Sequence, residues 1–186
     1  MNSRFKALAA AALVAAGACN PNTTLPAATI NNVIDTVTLG AIIGTSLTIP
    51  SGFSVALDRS VRTDLESNFD FVFNVDSLGI PVFLTIQVLG IPNASPLLPG
   101  FIESTVAFDS MVNAPLNGYT TNRPFSAETG KTYYVRSSMV CTSLSSAIYG
   151  KLQVLEFDPA TNEVTFKVLV DSNCGYHSLV PGRPTF

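Results

Sequence analysis

Hydrophobic and polar residues alternate along the C-terminal part of the chain, which is the pattern of half-buried β-strands. The alternation covers Thr132–Ser138, Tyr149–Phe157 and Val164–Val170. Between the last two lies Asp-Pro-Ala-Thr-Asn, in which Pro presets φ and Asn tolerates the left-handed region. We therefore predict a β-hairpin here. The residues expected on one face of its second strand are Val164, Phe166, Val168 and Val170.

The clearest single strand in the N-terminal half is Phe69–Asp76. Every second residue is apolar, and these residues are predicted to share one face: Phe69, Phe71, Phe73 and Val75. Because side chains alternate across a strand, the pattern buries three phenylalanine rings together, each contributing ~1.5–3 kcal/mol. Ile80–Leu89 is almost continuously apolar and predicts a strand that is covered on both faces.

Shorter apolar segments predict further strands at Asn31–Leu39, Phe53–Leu57 and Glu103–Phe108. The charged segment 58–68 fits either a loop or one or two helical turns, and residues 113–129 predict an irregular connection. Many short strands separated by turns are typical of all-β proteins. The sequence therefore predicts a single antiparallel β-sandwich or curved-sheet domain over residues 29–186.

The first nineteen residues predict export. Two basic residues precede an uncharged apolar run, and the small residues Ala16–Ala18 come directly before Cys19. This arrangement resembles the bacterial lipobox, in which the cysteine becomes the lipid-bearing N-terminus. We expect residues 1–18 to be a signal peptide and residues 19–28 to be the lipid-anchored Cys19 and a flexible tether. The alternative is an ordinary secretory signal that is cut after Ala18 and leaves Cys19 as a free thiol.

Charge limits the partners of such an exported protein. The chain has 10 basic and 13 acidic residues, a net charge of −3. Removal of Arg4 and Lys6 with the leader leaves 8 basic against 13 acidic residues, so the mature chain carries −5. Nucleic-acid binding is excluded because it requires clustered cations. We expect a membrane-anchored lipoprotein of the bacterial cell envelope, facing the periplasm or the cell exterior. Its partners are expected to be the membrane, through the lipid, and a small ligand or an envelope protein.

Cys141 and Cys174 are the two remaining cysteines, 33 positions apart. Exported proteins meet an oxidising compartment, so one disulfide is the simplest interpretation. Loop-closure entropy predicts that it contributes ~3–4 kcal/mol to stability. A metal-binding pair or a reactive thiol are the alternatives, but no Cys-x-x-Cys spacing occurs and His177 is the sole imidazole.

Catalytic signatures are scarce in this sequence. His177 is the single histidine, and the Gly-x-Ser-x-Gly pattern of many serine nucleophiles does not occur. One imidazole excludes a multi-histidine metal site within one chain. The acidic residues available for a catalytic carboxylate pair or a calcium site fall in a charged loop and on a polar strand face. They are Asp58, Asp64, Glu66, Asp70 and Asp76. We predict a protein that is not an enzyme, with no catalytic residue and no resident metal.

Four tyrosines surround the two cysteines in sequence and form a candidate ligand-binding face. They are Tyr133, Tyr134, Tyr149 and Tyr176. Tyrosine combines apolar area with a polar tip, which suits a ligand site. Ordinary packing on the sheet is the alternative.

Three segments are similar to strands of the HmuY-like lipoproteins. They are Thr132–Arg136, Tyr149–Val154 and the aromatic-Asp-aromatic run Phe69–Phe73. The resemblance covers pieces of the chain from Phe69 to Val170, and the lipobox-like leader agrees with it. It implies an all-β fold. It also implies an alternative function, since the best-known members of that family carry haem at the bacterial surface.

Haem would need axial ligands from this chain, and Met139 with His177 is a chemically suitable pair. Apart from that alternative, no cofactor is expected. The leading hypothesis is an exported, lipid-anchored, non-enzymatic β-domain with a binding or surface-structural role. The alternative is a haem or small apolar ligand carrier.

The lining of the largest cavity discriminates between these functions. Tyrosine and methionine side chains there would favour the carrier. Two converging carboxylates, or His177 with serine and aspartate, would favour an enzyme. A filled core with shallow clefts would favour a structural role.

Overall fold

The alternating pattern produces strands throughout the part of the chain that the structure describes. This structure is a computed structural model that describes residues 25–185. Within that range, helical structure is limited to two 3-10 turns, Phe108–Ser110 and Thr142–Leu144. The strands are β1 Ile34–Gly40, β2 Gly52–Ser54, β3 Arg59–Val61, β4 Phe71–Val75, β5 Pro81–Thr85, β6 Gly100–Ser104, β7 Phe125–Ser126, β8 Thr132–Cys141, β9 Ser146–Asp158 and β10 Glu163–Asp171.

These strands form two antiparallel sheets of five strands each, packed as a β-sandwich. One sheet has the order β1-β10-β9-β8-β6 and contains the longest strands, so we call it the long-strand sheet. The other has the order β3-β2-β4-β5-β7 and is called the short-strand sheet. The predicted all-β, antiparallel fold is confirmed.

The predicted hairpin is β9–β10. Its turn is fixed as the sequence indicates, because the Asp158 side chain accepts the Ala160 N–H at 2.8 Å and Asn162 takes a positive φ of 54°. The alternating residues of β10 all enter the main core: Val164, Phe166, Val168 and Val170. This single face therefore supplies one wall of the core between the two sheets.

Phenylalanine rings hold the two sheets together. Phe71 of the short-strand sheet contacts Phe101 of the long-strand sheet edge-on, with ring centroids 4.9 Å apart. Phe53 meets Phe166 in the same way at 5.7 Å. Such edge-to-face pairs add about 0.5–1.5 kcal/mol each to the free energy gained by burying the rings.

The predicted phase of β4 is wrong at its first residue. Phe71 and Phe73 enter the main core and Val75 packs against it, but Phe69 lies before the strand begins. Phe69 instead packs with Val72 and Ile86 in a separate cluster on the outer face. The strand thus buries two phenylalanines in the core. The third covers the opposite face, because its backbone has left the extended ladder.

Two N-terminal segments take shapes that the sequence pattern does not resolve. The apolar residues 41–49 form turns, and the loop is closed where the Gly40 N–H donates to the Pro50 carbonyl at 2.9 Å. The charged segment 58–68 contains the short strand β3, which pairs with β2 in a tight hairpin. Neither of the two predicted options, a loop or helical turns, describes that strand.

The middle of the chain follows the predictions more closely. β5 is covered on both faces but ends at Thr85, after which residues 86–90 turn. The strand predicted from Glu103 is displaced towards the N-terminus, since β6 covers Gly100–Ser104. Residues 113–129 are irregular apart from the two residues of β7.

The predicted disulfide between Cys141 and Cys174 is confirmed, with a Cα–Cα distance of 5.6 Å. Cys141 ends β8 and Cys174 lies three positions beyond β10. β8 and β10 are both antiparallel to β9, so their C-terminal ends lie at the same end of the sandwich. The crosslink therefore joins two strand ends of one sheet.

The N-terminal segment joins the body at this same end. The Tyr176 hydroxyl donates to the Pro26 carbonyl at 3.1 Å and accepts the Ala28 N–H at 3.2 Å. The Asn173 side-chain oxygen accepts the N–H groups of Thr29 and Ile30. Residues 26–28, assigned to the tether from the sequence, are thus bound to the body. The predicted signal peptide and Cys19 lie outside the described residues.

Candidate functional site

A cavity of about 430 Å³ opens between the two sheets near the start of β4. Its lining comes from four segments, 54–57, 67–70, 86–93 and 138–140. The last belongs to β8 of the long-strand sheet, and the others follow or precede strands of the short-strand sheet. Two cavities of about 210 and 270 Å³ lie where the N-terminal segment joins, so this one is the largest of the three.

Asp70 is the charged residue of the cavity lining, and it is 4% exposed. One carboxylate oxygen accepts the Val55 N–H at 2.7 Å and the Ala56 N–H at 3.2 Å. The other accepts the Ser138 N–H at 3.2 Å. Since Ser138 belongs to the opposite sheet, this carboxylate joins the two sheets by hydrogen bonds. We call the space beside it the Asp70 cavity.

An irregularity in β8 explains why a carboxylate is needed there. The β8–β9 register shifts between Arg136 and Met139, which takes Ser137 and Ser138 out of regular pairing. The Ser137 hydroxyl then accepts the Ile148 N–H at 3.0 Å, and Asp70 accepts that of Ser138. Both backbone donors freed by the bulge thereby find side-chain acceptors, as buried amides must.

Burial raises the pKa of the Asp70 carboxyl from 3.8 to about 6. The three backbone N–H donors oppose this rise, because they favour the ionised form. The carboxyl is thus largely ionised at neutral pH. A carboxylate offers about four lone-pair positions, so one remains for a further donor beside the three backbone N–H groups.

The lining of the Asp70 cavity combines apolar side chains with uncharged polar ones, which are Ser54, Ser67, Asn68, Asn93 and Ser138. Leu57, Ile91 and Val140 line it and are exposed at its rim. Phe69 and Ile86 line it and are buried. The volume lies within the range of small-molecule sites, about 300–1,000 Å³, which are typically apolar with a few polar groups. The geometry suits a ligand with an apolar body and one hydrogen-bond donor.

Asp58 is a second carboxyl with a raised pKa, also about 6. Desolvation is the main cause, and the negative charge of Asp35 adds to it. Asp58 has a positive φ of 50° and follows Leu57 of the cavity rim, but it is not among the lining residues. It therefore adds negative charge next to the rim rather than a second group inside the cavity.

The other acidic residues of this region have partners of their own. Asp64 pairs with Arg62 at 2.7 Å, Glu66 pairs with Arg59, and each arginine lowers the pKa of its partner. The Asp76 side chain accepts the N–H groups of the β4–β5 turn. Within residues 25–185, no group of three or more histidine, cysteine or acidic residues is placed to hold a metal ion.

The candidate tyrosines of β8 and β9 lie in two hydrophobic clusters. Tyr133 is fully buried in the main core and its hydroxyl donates to the Ser126 carbonyl at 2.7 Å. Tyr134 and Tyr149 lie on the opposite face of the long-strand sheet, in the cluster around Phe108. These three residues do not line the Asp70 cavity.

Tyr176 and His177 lie together in a different place. They line the cavity of about 270 Å³ where the N-terminal segment joins, and His177 is exposed there. Met139 is half-buried in β8 and is not among the residues that line this cavity. The cavity thus brings His177 to Tyr176 but not to Met139, and haem ligation by Met139 and His177 stays a prediction.

Lys151 is a buried charge on the outer face of the long-strand sheet, and no sequence motif indicates its role. Its ammonium donates to the carbonyls of Phe108 and Met111, each at 2.9 Å, and lies 4.5 Å from the Phe108 ring centre. Burial lowers the pKa of Lys151, and the Asp109 carboxylate opposes that shift. Lys151 therefore fastens the 3-10 turn Phe108–Ser110 to β9.

Comparison with known proteins assigns no family: no protein-family model matches the chain, and no curated protein matches it significantly. In residues 25–185, no helix is long and apolar enough to span a bilayer. The resemblance to HmuY-like lipoproteins therefore stays a prediction.

Proposed function

We propose that this chain is a non-enzymatic, lipid-anchored binding domain of the bacterial cell envelope. Its ligand would be a small molecule with an apolar body and a cationic or hydrogen-bond-donating group. The observation that carries the proposal is the Asp70 cavity, in which apolar and uncharged polar side chains surround one buried carboxylate. This lining differs from the tyrosine and methionine side chains expected of the haem carrier.

The acceptor capacity of Asp70 favours a donor over an anion. An ammonium that reached the carboxylate would make a charge-assisted hydrogen bond, which is about twice as strong as a neutral one. An anionic ligand of the same shape would instead meet Asp70, and Asp58 beyond the rim. The cavity thus predicts a preference that a matched pair of ligands can measure.

Octylamine and octanoate are such a pair, with equal chains and opposite charge. Titrated into isotopically labelled mature protein, octylamine is expected to shift the amide resonances of Val55, Ala56 and Ser138, while octanoate binds at least about tenfold more weakly. Val140→Lys, at the exposed rim, should weaken octylamine binding without removing a hydrogen bond of Asp70. Asp76→Asn, in the distant β4–β5 turn, is the matched control and should leave it unchanged. Equal binding of the two ligands, or no binding, would contradict the proposal.

The anchor has its own test. Cells that express the full chain are expected to incorporate labelled palmitate into it, and Cys19→Ala should remove the label. An unlabelled protein with an intact thiol at Cys19 would support the alternative, an ordinary secretory signal. That outcome would remove the lipid anchor from the proposal and leave the ligand site standing.

A further inference from the structure

The position at which the N-terminal segment joins the body fixes which end of the sandwich is nearest to Cys19. Tyr176 and Asn173, both in the loop after β10, hold residues 26–30 at the end that carries the Cys141–Cys174 disulfide. We call this the junction end. The β4–β5 turn lies at the opposite end, because β4 runs from Asp70 near Ser138 towards the β9–β10 turn, where Phe73 meets Phe157.

Only six positions separate Cys19 from Leu25, the first described residue. Even fully extended, six residues span about 20 Å. β9 alone has 13 residues and, at about 3.3 Å per residue, extends for roughly 40 Å. A lipid on Cys19 would therefore keep the junction end close to the bilayer and hold the β4–β5 turn far from it.

Leu78 and Ile43 are more exposed and lie elsewhere, but the junction end also carries exposed aliphatic side chains. Four of them, each between 46% and 54% exposed, form what we call the junction patch: Ile30, Val33, Val112 and Val180. They lie on three segments that are hydrogen-bonded to one another. The Leu179 N–H donates to the Val112 carbonyl at 2.8 Å, and the Asn32 side chain donates to the carbonyl of Val180.

Charged residues of both signs lie beside the junction patch. Arg183 is exposed three positions after Val180, and His177 is exposed on the same loop system. Asp171 is fully buried and accepts the N–H groups of Asn173 and Ser178, so its charge is not presented to solvent. Asp35 is exposed two positions after Val33, and Asp109 is exposed three positions before Val112, so the patch is not a basic surface. Its aliphatic side chains are therefore the groups that would contact lipid.

We propose that the junction patch rests in the headgroup region of the bilayer that holds the lipid of Cys19, with the β4–β5 turn directed away from the membrane. The inference relies on the lipid anchor of the proposed function. It adds a defined orientation of the folded domain, in which the domain itself contacts the bilayer and is not attached by the lipid alone.

The absence of tryptophan from the sequence makes the orientation directly measurable. Val180→Trp places a single reporter in the junction patch. Leu78→Trp, at a position 80% exposed in the β4–β5 turn, is the matched control. Each lipidated, mature variant is incorporated into vesicles of phosphatidylethanolamine and phosphatidylglycerol that contain lipids brominated near the headgroup. We expect blue-shifted emission from the Val180→Trp protein, with a loss of about half its intensity, and no change for Leu78→Trp.

A third variant tests whether the junction patch contacts the lipid or only lies close to it. Val33→Asp and Val112→Asp, added to Val180→Trp, should restore most of the lost emission because two charges would leave the headgroup region. Flotation of the vesicles reports the anchor separately. Protein that does not float lacks the anchor, which removes the lipid anchor from the proposed function and overturns the orientation, while the proposed ligand site is unaffected. Protein that floats with equal quenching at both tryptophans, with none at either, or with quenching that the two aspartates leave unchanged, overturns the orientation alone.

Discussion

The buried carboxylate of Asp70 should make the protein more stable in mild acid, contrary to the usual behaviour of paired acidic residues. Its pKa is raised to about 6 in the folded protein, against 3.8 for the ordinary group. The folded state therefore holds the proton more tightly than the unfolded state. By linkage, the free energy of unfolding rises as the pH falls through about 6 towards about 4.

The magnitude follows from the size of this shift. A change from 3.8 to about 6 corresponds to about 3 kcal/mol between the ionised and protonated forms of the folded protein. Between about pH 7 and about pH 4.5, roughly 2 kcal/mol of this is recovered. Asp58 has a raised pKa with the same sign, so the contribution of Asp70 must be measured as a difference.

Asp70→Asn provides that difference, because an amide keeps the shape and one acceptor but does not titrate. Urea unfolding of both proteins, followed by far-ultraviolet circular dichroism, gives the free energy of unfolding at each pH. We expect the stability of the wild type relative to Asp70→Asn to increase by about 2 kcal/mol on acidification over that interval. The salt bridges of Asp64 and Glu66 weaken only at lower pH, because arginine lowers the pKa of each carboxyl. An equal pH dependence in the two proteins would refute the reasoning.

Three further outcomes are expected from the structure. Replacing both Cys141 and Cys174 by serine should lower the free energy of unfolding by about 3–4 kcal/mol, measured in urea and compared with wild type kept oxidised. Lys151→Met removes the donor to two buried carbonyls and should cost about 1–3 kcal/mol, accompanied by faster hydrogen exchange in the 3-10 turn Phe108–Ser110. If haem binds as the family resemblance implies, added haem should give a Soret band that shifts in Met139→Ala and in His177→Ala. An unshifted band in both variants would exclude this pair of ligands.

The strands that are best predicted from the sequence are long and have one buried face. Val164 to Val170 could be read directly, because every second side chain faces one core and the turn before it has its own chemistry. The disulfide was equally accessible, since only one pairing is possible between the two cysteines that lie outside the predicted lipidation site Cys19. Such features depend only on the local residue pattern and on the number of cysteines, and the sequence contains both kinds of information.

The features that the sequence did not yield depend on where a regular pattern stops. Phe69 continues the alternation of Phe71 and Phe73, but the strand starts only at Phe71, so the first ring falls in another cluster. The alternation therefore predicts Asp70 on the polar face of a strand. Its burial follows from the bulge in β8, whose free N–H at Ser138 requires an acceptor from the opposite sheet. A local residue pattern cannot predict that Asp70 accepts the N–H of Ser138, which lies 68 positions away.

The same mismatch between strand and pattern accounts for the candidate site. Had β4 begun at Phe69, the alternation would have turned Asp70 towards solvent and Phe69 into the core, and the space between the sheets would lack its carboxylate. Because β4 begins only at Phe71 and β8 has a bulge, an aspartate, two buried apolar side chains and exposed aliphatic side chains instead surround one opening. Because Asp70 both joins the sheets and faces the cavity, a ligand that donates to it must favour the ionised carboxylate. Ligand binding and proton release are therefore coupled, and the affinity for an amine should fall over the same pH interval in which the fold becomes more stable.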